Sequence, residues 1–396
     1  MTPRAIWQYL SLNHSLRLIA TGIIAQCCAS GALALPLYTV RDLGTLGSRD
    51  SYPVAINSAG VVAGASTLGG LTHPVVFGTA GGSIIDLAPL ASPGAMATGI
   101  NDLGQVVGFV DITNWGYRYA ALFNSTDGSI TNLGTLGGRD SYADSINNSG
   151  QVLGYSSTVT GAMHATLFSI AGGSNMDLGT LGGENSYGFG LNELGQAVGY
   201  SDTLSGHFHA TLFSTTGGQN VDLGTNGGMD SYALGINDFG QVVGYTSNSS
   251  GQQRATLFST TGGSNTYLSG LDGLESTAWD INNSGQIIGY VHLGQGRLDP
   301  YIWQSGVMTL LDSVIDPLSE WDLQQALEIN DAGQIAVSGC SRITGECHAL
   351  LLNTVGQNVG TVPEPSTLAL LVLAILSMAA KLRRIGFSFD SFGKRR

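Results

Sequence analysis

The segment Ile236-Asn237-Asp238-Phe239-Gly240-Gln241-Val242-Val243-Gly244-Tyr245 decides the fold. Asn and Asp side chains bond locally to backbone, and glycine accepts a positive φ, so Asn237–Gly240 reads as a tight hairpin turn. The runs on either side, Ser231–Ile236 and Gln241–Thr246, read as its two strands. The phrase Ile-Asn-x-x-Gly-Gln-x-x-Gly then returns with small changes along the chain. Its asparagines are Asn57, Asn101, Asn147, Asn192, Asn237, Asn282 and Asn330, spaced by 44, 46, 45, 45, 45 and 48 residues. A turn repeated seven times is architecture, and no catalytic motif is read from it.

Two further phrases accompany each turn. One precedes it, as in Asp42-Leu43-Gly44-Thr45, Asp177-Leu178-Gly179-Thr180 and Asp222-Leu223-Gly224-Thr225. The other follows it, as in Ala165-Thr166-Leu167-Phe168 and Ala255-Thr256-Leu257-Phe258. With Asn220–Thr225 and Ala255–Ser259 added, the unit around Asn237 has four short strands and no helical period. Four strands in about 45 residues is the size of a propeller blade. The expected fold is therefore all-β, a seven-bladed β-propeller over residues 35–355. An open β-solenoid is the alternative. The chain opens on Tyr38–Leu43 and closes on His348–Leu352, so the first strand is expected to complete the last sheet. Gly356-Gln357-Asn358-Val359, which faintly repeats Gly218-Gln219-Asn220-Val221, is the local rival for that place.

These phrases resemble the extracellular HAF-repeat family over about residues 37–353. Its His-Ala-Phe core appears loosely as His164-Ala165-Thr166 and His209-Ala210-Thr211. The resemblance implies an exported repeat protein and no particular activity.

Charge narrows the partners. The chain carries 15 basic and 28 acidic residues. Residues 35–365 keep seven arginines, no lysine and 27 acids, a balance of about −20. Such a body repels phosphate backbones and anionic lipid, so no nucleic-acid partner is expected.

The ends read as addresses. Arg4 and Arg17, the apolar stretch Leu18–Ala25 and the small-x-small site Ala32-Leu33-Ala34 read as a signal peptide over 1–34, with Sec-type export. An N-terminal membrane anchor is the alternative. At the other end come Val362-Pro363-Glu364-Pro365, the apolar run Leu368–Ala380 and the basic cluster Lys381, Arg383 and Arg384. This order resembles the bacterial PEP-CTERM sorting signal. The resemblance implies recognition by an exosortase and delivery to the cell surface or extracellular matrix of a Gram-negative bacterium. The expected layout is a linker with the motif over 356–366, a transmembrane helix over 367–382 and a basic cytoplasmic tail over 383–396. Unlike the usual family member, the chain continues past the basic cluster, from Ile385 to Arg396. A retained, inner-membrane-anchored periplasmic protein is the alternative.

Candidates for chemistry are few. His73, His164, His209 and His348 share one repeat position, which Tyr119, Arg254 and Asp299 fill elsewhere. Equivalent positions on neighbouring third strands stand roughly 15 Å apart, too far to share a zinc ion. The pairs Asp50-Ser51, Asp140-Ser141 and Asp230-Ser231 lack the Asp-x-Asp-x-Asp-Gly calcium loop and read as turn residues. No G-x-S-x-G, H-E-x-x-H or phosphate loop occurs. No catalytic residue, metal or cofactor is therefore expected. Cys340 and Cys347 flank the last hairpin turn and are expected to form a disulfide after export. The repeat breaks late, at Glu275, Trp279, Asp280, Asp299, Trp303, Glu320, Trp321, Asp322 and Glu328. Trp279, Trp303 and Trp321 are candidate glycan-binding faces, with exopolysaccharide as the partner. A non-enzymatic scaffold for binding or structure is the leading expectation. An exopolysaccharide-acting glycoside hydrolase or lyase, using paired acids, is the alternative.

Overall fold

The computed structural model describes residues 37–78, 82–88, 94–111, 117–248, 250–294 and 297–355. They form seven four-stranded sheets arranged as a seven-bladed β-propeller. Blade 1 runs outward from its inner strand Ser51–Ile56 through Val62–Leu68 and Leu71–Phe77 to its outer strand Ile85–Asp86. Blade 7 runs from Trp321–Ile329 through Ile335–Ser341 and Cys347–Thr354, and its outer strand is Tyr38–Asp42. The expected ring closure is therefore present. Leu43 extends it by donating its N–H to Ala349 at 3.0 Å.

The same closure corrects one boundary. Val221–Asp222 is the outer strand of the blade before Ser231–Ile236, paired with Thr211 and Leu212. It does not lie in the sheet of the turn that follows it. The strand is short because Leu223 leaves the ladder at once and turns into the core, its N–H held by Ala210 at 2.8 Å. Leu43, Leu133 and Leu178 do the same.

The hydrophobic core sits between blades, not on the axis. One cluster joins Val198 and Ala210 of blade 4 to Ala233, Ile236 and Val242 of blade 5. A second seam is aromatic. Tyr142, Tyr155, Tyr187, Tyr200, Tyr232 and Tyr245 follow one another across blades 3 to 5 with ring centroids 4.6–5.1 Å apart.

Among the described residues there is no α-helix, only the 3₁₀ turn Leu311–Ser313, and no helix long and apolar enough to cross a membrane. The chain divides at Asn353 into two units, and the propeller is the first. The expected signal peptide with Ala32 and Ala34, the linker with Val362–Pro365, the helix over 367–382 and the basic tail all lie outside the described residues.

Candidate functional site: the axial channel

Each inner strand ends in the Asn-x-x-Gly turn. In blade 5 the Asn237 Oδ1 accepts the N–H of Phe239 at 3.1 Å and of Gln241 at 3.0 Å. Gly240 closes the turn at φ +72°, the left-handed region that a glycine enters without strain. The Asn237 Nδ2 donates to Gln241 Oε1 at 2.8 Å and, across the blade boundary, to the carbonyl of Asn282 at 3.0 Å. All seven asparagines make this last bond, and Asn330 returns it to Asn57 at 3.0 Å. The turn motif is thus also a closed ring of side-chain bonds around the axis.

The next residue in each turn lines the mouth of the channel. Ser58, Asp102, Asn148, Glu193, Asp238, Asn283 and Asp331 stand there. Six steps of a second ring link them, for example Glu193 N–H to Asp238 Oδ1 at 2.9 Å and Asn283 N–H to Asp331 Oδ1 at 2.8 Å. Desolvation and the neighbouring Asp238 and Asp102 push the Glu193 carboxyl up. Desolvation also acts on Asp102, but hydrogen bonds from Ser58 and Asn148 hold its carboxyl below the usual range.

Deeper in, every inner strand carries a β-bulge three residues before its Asn. A bulge re-aims a side chain out of the alternating pattern. The seven bulged residues Val54, Thr98, Asp144, Phe189, Leu234, Trp279 and Leu327 all line the channel. The strand opposite must make room, which explains the last glycine of the motif. A Cβ on Gly244 would lie 1.9 Å from the Tyr232 carbonyl. Blade 7 has Val337 in that place and carries a second bulge, at Gln324.

The cavity has a volume of about 410 Å³. Seven carboxylates line it, and no Lys, Arg or His does. Three of them lie below the mouth. Asp280 accepts the Ile329 N–H at 2.9 Å, and Glu328 accepts the Ile56 N–H, so each ties its inner strand to the next blade. Desolvation raises both carboxyls, that of Asp280 to about 6 and that of Glu328 well above its ordinary value, with Asp280 adding to the latter. Asp144 is pushed up to about 8 by desolvation. Its Oδ2 is buried without a hydrogen-bond partner.

The other sequence candidates are placed elsewhere. His73, His164, His209 and His348 each bond an Asp of the outer strand through Nδ1, at 2.8–2.9 Å. Blade 5 replaces the pair by Arg254 over the Tyr267 ring, at 4.7 Å. Ser231 accepts the Ala210 N–H and donates to Gly224, while Asp230 accepts the Phe208 N–H, so the Asp-Ser pairs staple neighbouring blades. Ser51, Ser141 and Asp140 act alike. The three tryptophans do not converge. Trp279 lines the channel at 39% exposure, Trp303 on the third strand of blade 6 donates to the Ser269 carbonyl, and Trp321 is 8% exposed against His348. Asp299, Asp312 and Asp322 gather around Arg297 at 2.7–3.2 Å. Cys340 and Cys347 face each other across the last hairpin and are joined by a disulfide. Among the described residues no group of three or more His, Cys, Asp or Glu is placed to hold a metal.

Comparison with known proteins adds the address. Residues 361–384 match the PEP-CTERM protein-sorting motif. The chain carries a PEP-CTERM signal. That signal implies export and exosortase processing. No curated protein matches the chain. Among solved structures, a puromycin hydrolase mutant complexed with PGG superposes with TM-score 0.51 at 14% identity, covering 77% of this chain and 54% of that one. TolB from Acinetobacter baumannii gives 0.42 at 15%, covering 53% and 52%. The β-propeller domain of the Trilobed protease from Pyrococcus furiosus gives 0.46 at 9%, covering 76% and 97%. The chain thus spans about half the length of the first two. At such identities the likeness concerns the fold alone.

Proposed function

We propose that this is an exosortase-sorted protein of the Gram-negative envelope or extracellular matrix, whose HAF-repeat propeller is a non-enzymatic scaffold for binding or structure. The observation that carries the reading is the PEP-CTERM signal at 361–384, which begins seven residues after the strand Cys347–Thr354 that completes the ring. The repeated polar groups support the scaffold role. The asparagines, the Asp-Ser pairs and the His-Asp pairs bind blade to blade or strand to strand. On this reading a single helix over 367–382 holds the extended Val362–Pro365 motif near the bilayer until exosortase cuts it.

The test is mass spectrometry of the protein from an exosortase-containing Gram-negative host. The mature form should lack Phe387–Arg396, and Glu364→Ala should leave full-length protein in the inner membrane. Wild-type protein that keeps Phe387–Arg396 would replace this reading by a permanently anchored periplasmic propeller. One observation favours a second reading, an exopolysaccharide hydrolase or lyase: Asp280 and Glu328, with raised carboxyls, share the channel. Polysaccharide cleavage that is lost in Glu328→Gln would establish it.

A further inference from the structure

The axial channel has the chemistry of a receptor for a cation. Its seven carboxylates face no basic residue. Low-dielectric walls of one sign focus the field and raise the local concentration of counter-charges. An independent observation points to a missing partner: the buried Oδ2 of Asp144 has no donor within the protein. Buried acceptors left without a donor are rare and costly. Asp144 stands on the bulge between Thr98 and Phe189, in a position that no other blade gives to an acid.

The shape selects the kind of cation. A bare metal ion needs several oxygen ligands within about 2.6 Å of one point. The described acids are not gathered that way. They come from different blades, and Phe189 and Trp279, which also line the channel, hold in their own blades the bulge position that Asp144 holds in its blade. A cation on an organic body can reach a carboxylate and an aromatic face together, combining charge pairing with cation–π attraction. The cavity, about 410 Å³, is in the range of small-ligand sites.

We propose that the channel binds a primary ammonium group, carried by a polyamine or by a deacetylated amino sugar, with Asp144 as its principal acceptor and Trp279 as its aromatic wall. The two carriers share this chemistry, and the experiment separates them.

Calorimetric titration of the full chain in detergent uses four probes: spermidine, a glucosamine tetramer, the N-acetylglucosamine tetramer and calcium chloride. At least one ammonium probe should bind at low salt and weaken at high salt, and which one binds identifies the carrier. The acetylated tetramer, which has lost its charge, should not bind. An arriving ammonium favours the ionised form of the Asp144 carboxyl, so Asp144→Asn should weaken the ammonium probe about tenfold, as loss of a charge-assisted bond does. Trp279→Ala should weaken it severalfold. Because Trp279 is a partly exposed bulge, that variant tests the site should Asp144→Asn fail to fold. The proposal is overturned if neither ammonium probe binds, if the acetylated tetramer binds equally well, or if folded variants bind unchanged. Calcium binding that is lost in Asp144→Asn would assign the channel to a metal and overturn it too. The sorting assay reads only the C-terminus, so failure here and failure of the proposed function are separate results.

Discussion

Asn237 has two amide hydrogens and one oxygen, and each is engaged. Its oxygen holds two backbone N–H groups of its own turn, while its hydrogens bind Gln241 and the next blade. Alanine in its place leaves two N–H groups and the Asn282 carbonyl without their partner. Such losses cost roughly 1 kcal/mol each, so Asn237→Ala should destabilise the protein by about 2–3 kcal/mol in a urea titration. A change below 0.5 kcal/mol, that of an ordinary surface site, would contradict the ring. Asp144 has the opposite character. Its carboxyl is pushed up to about 8 in the fold and lies near 3.9 in an unfolded chain. The native state therefore binds the proton more tightly. That contribution is complete below about pH 4 and is lost as pH rises through about 8. Asp144→Asn should accordingly be more stable than wild type at about pH 9, by roughly 2 kcal/mol after solvent screening, and equal to it at about pH 4. A gain that does not shrink toward acid pH would refute the assignment.

Two elements show why part of this architecture is legible in sequence and part is not. The turn signal Asn-x-x-Gly is local, so Asn237–Gly240 announces itself through the chemistry of four adjacent residues. The bulge before it has no such signal. In six blades a glycine on the second strand makes room for it, and only the pairing of Ala233 with Gly244 brings the two together. Asp144 consequently does not announce itself as a channel residue, although it is the one acid in a column holding Val54, Thr98, Phe189, Leu234, Trp279 and Leu327. Four of the acids read from the late repeats fall in two places. Asp280 and Glu328 reach the channel, whereas Asp299 and Asp322 pair with Arg297. The last hairpin is another element with its own test. Peptide mapping without reductant should find Cys340 linked to Cys347. Cys347→Ser should cost about 2 kcal/mol, the expectation for so short a loop. Two freely alkylatable thiols in exported protein would refute the link.

For the whole molecule, seven near-equal units suffice to make the ring readable, because the spacing of the asparagines counts the blades. What distinguishes the units is harder to read, since it depends on neighbours about 45 residues away. The ring's integrity rests on one short strand. Deleting residues 37–43 removes Tyr38 and Leu43 from the core and the Asp42 partner of His348. It also exposes the edge of Cys347–Thr354. The loss should amount to several kcal/mol and bring aggregation through that edge, read by light scattering and thermal melting. An equally stable, monodisperse product would mean that the blade closes without it.

The His348–Asp42 bond joins residues 306 positions apart. Translated into time, the first strand of the ring is made about 306 residues before its partner. In between, Tyr38–Asp42 has nothing to pair with. Contacts of such long range form slowly, and unpaired strand edges invite other chains. The sorting signal begins seven residues after the partner strand ends. Completion of the fold and arrival of the signal are thus consecutive events along one chain, and a ribosome that stalls before Cys347 yields neither.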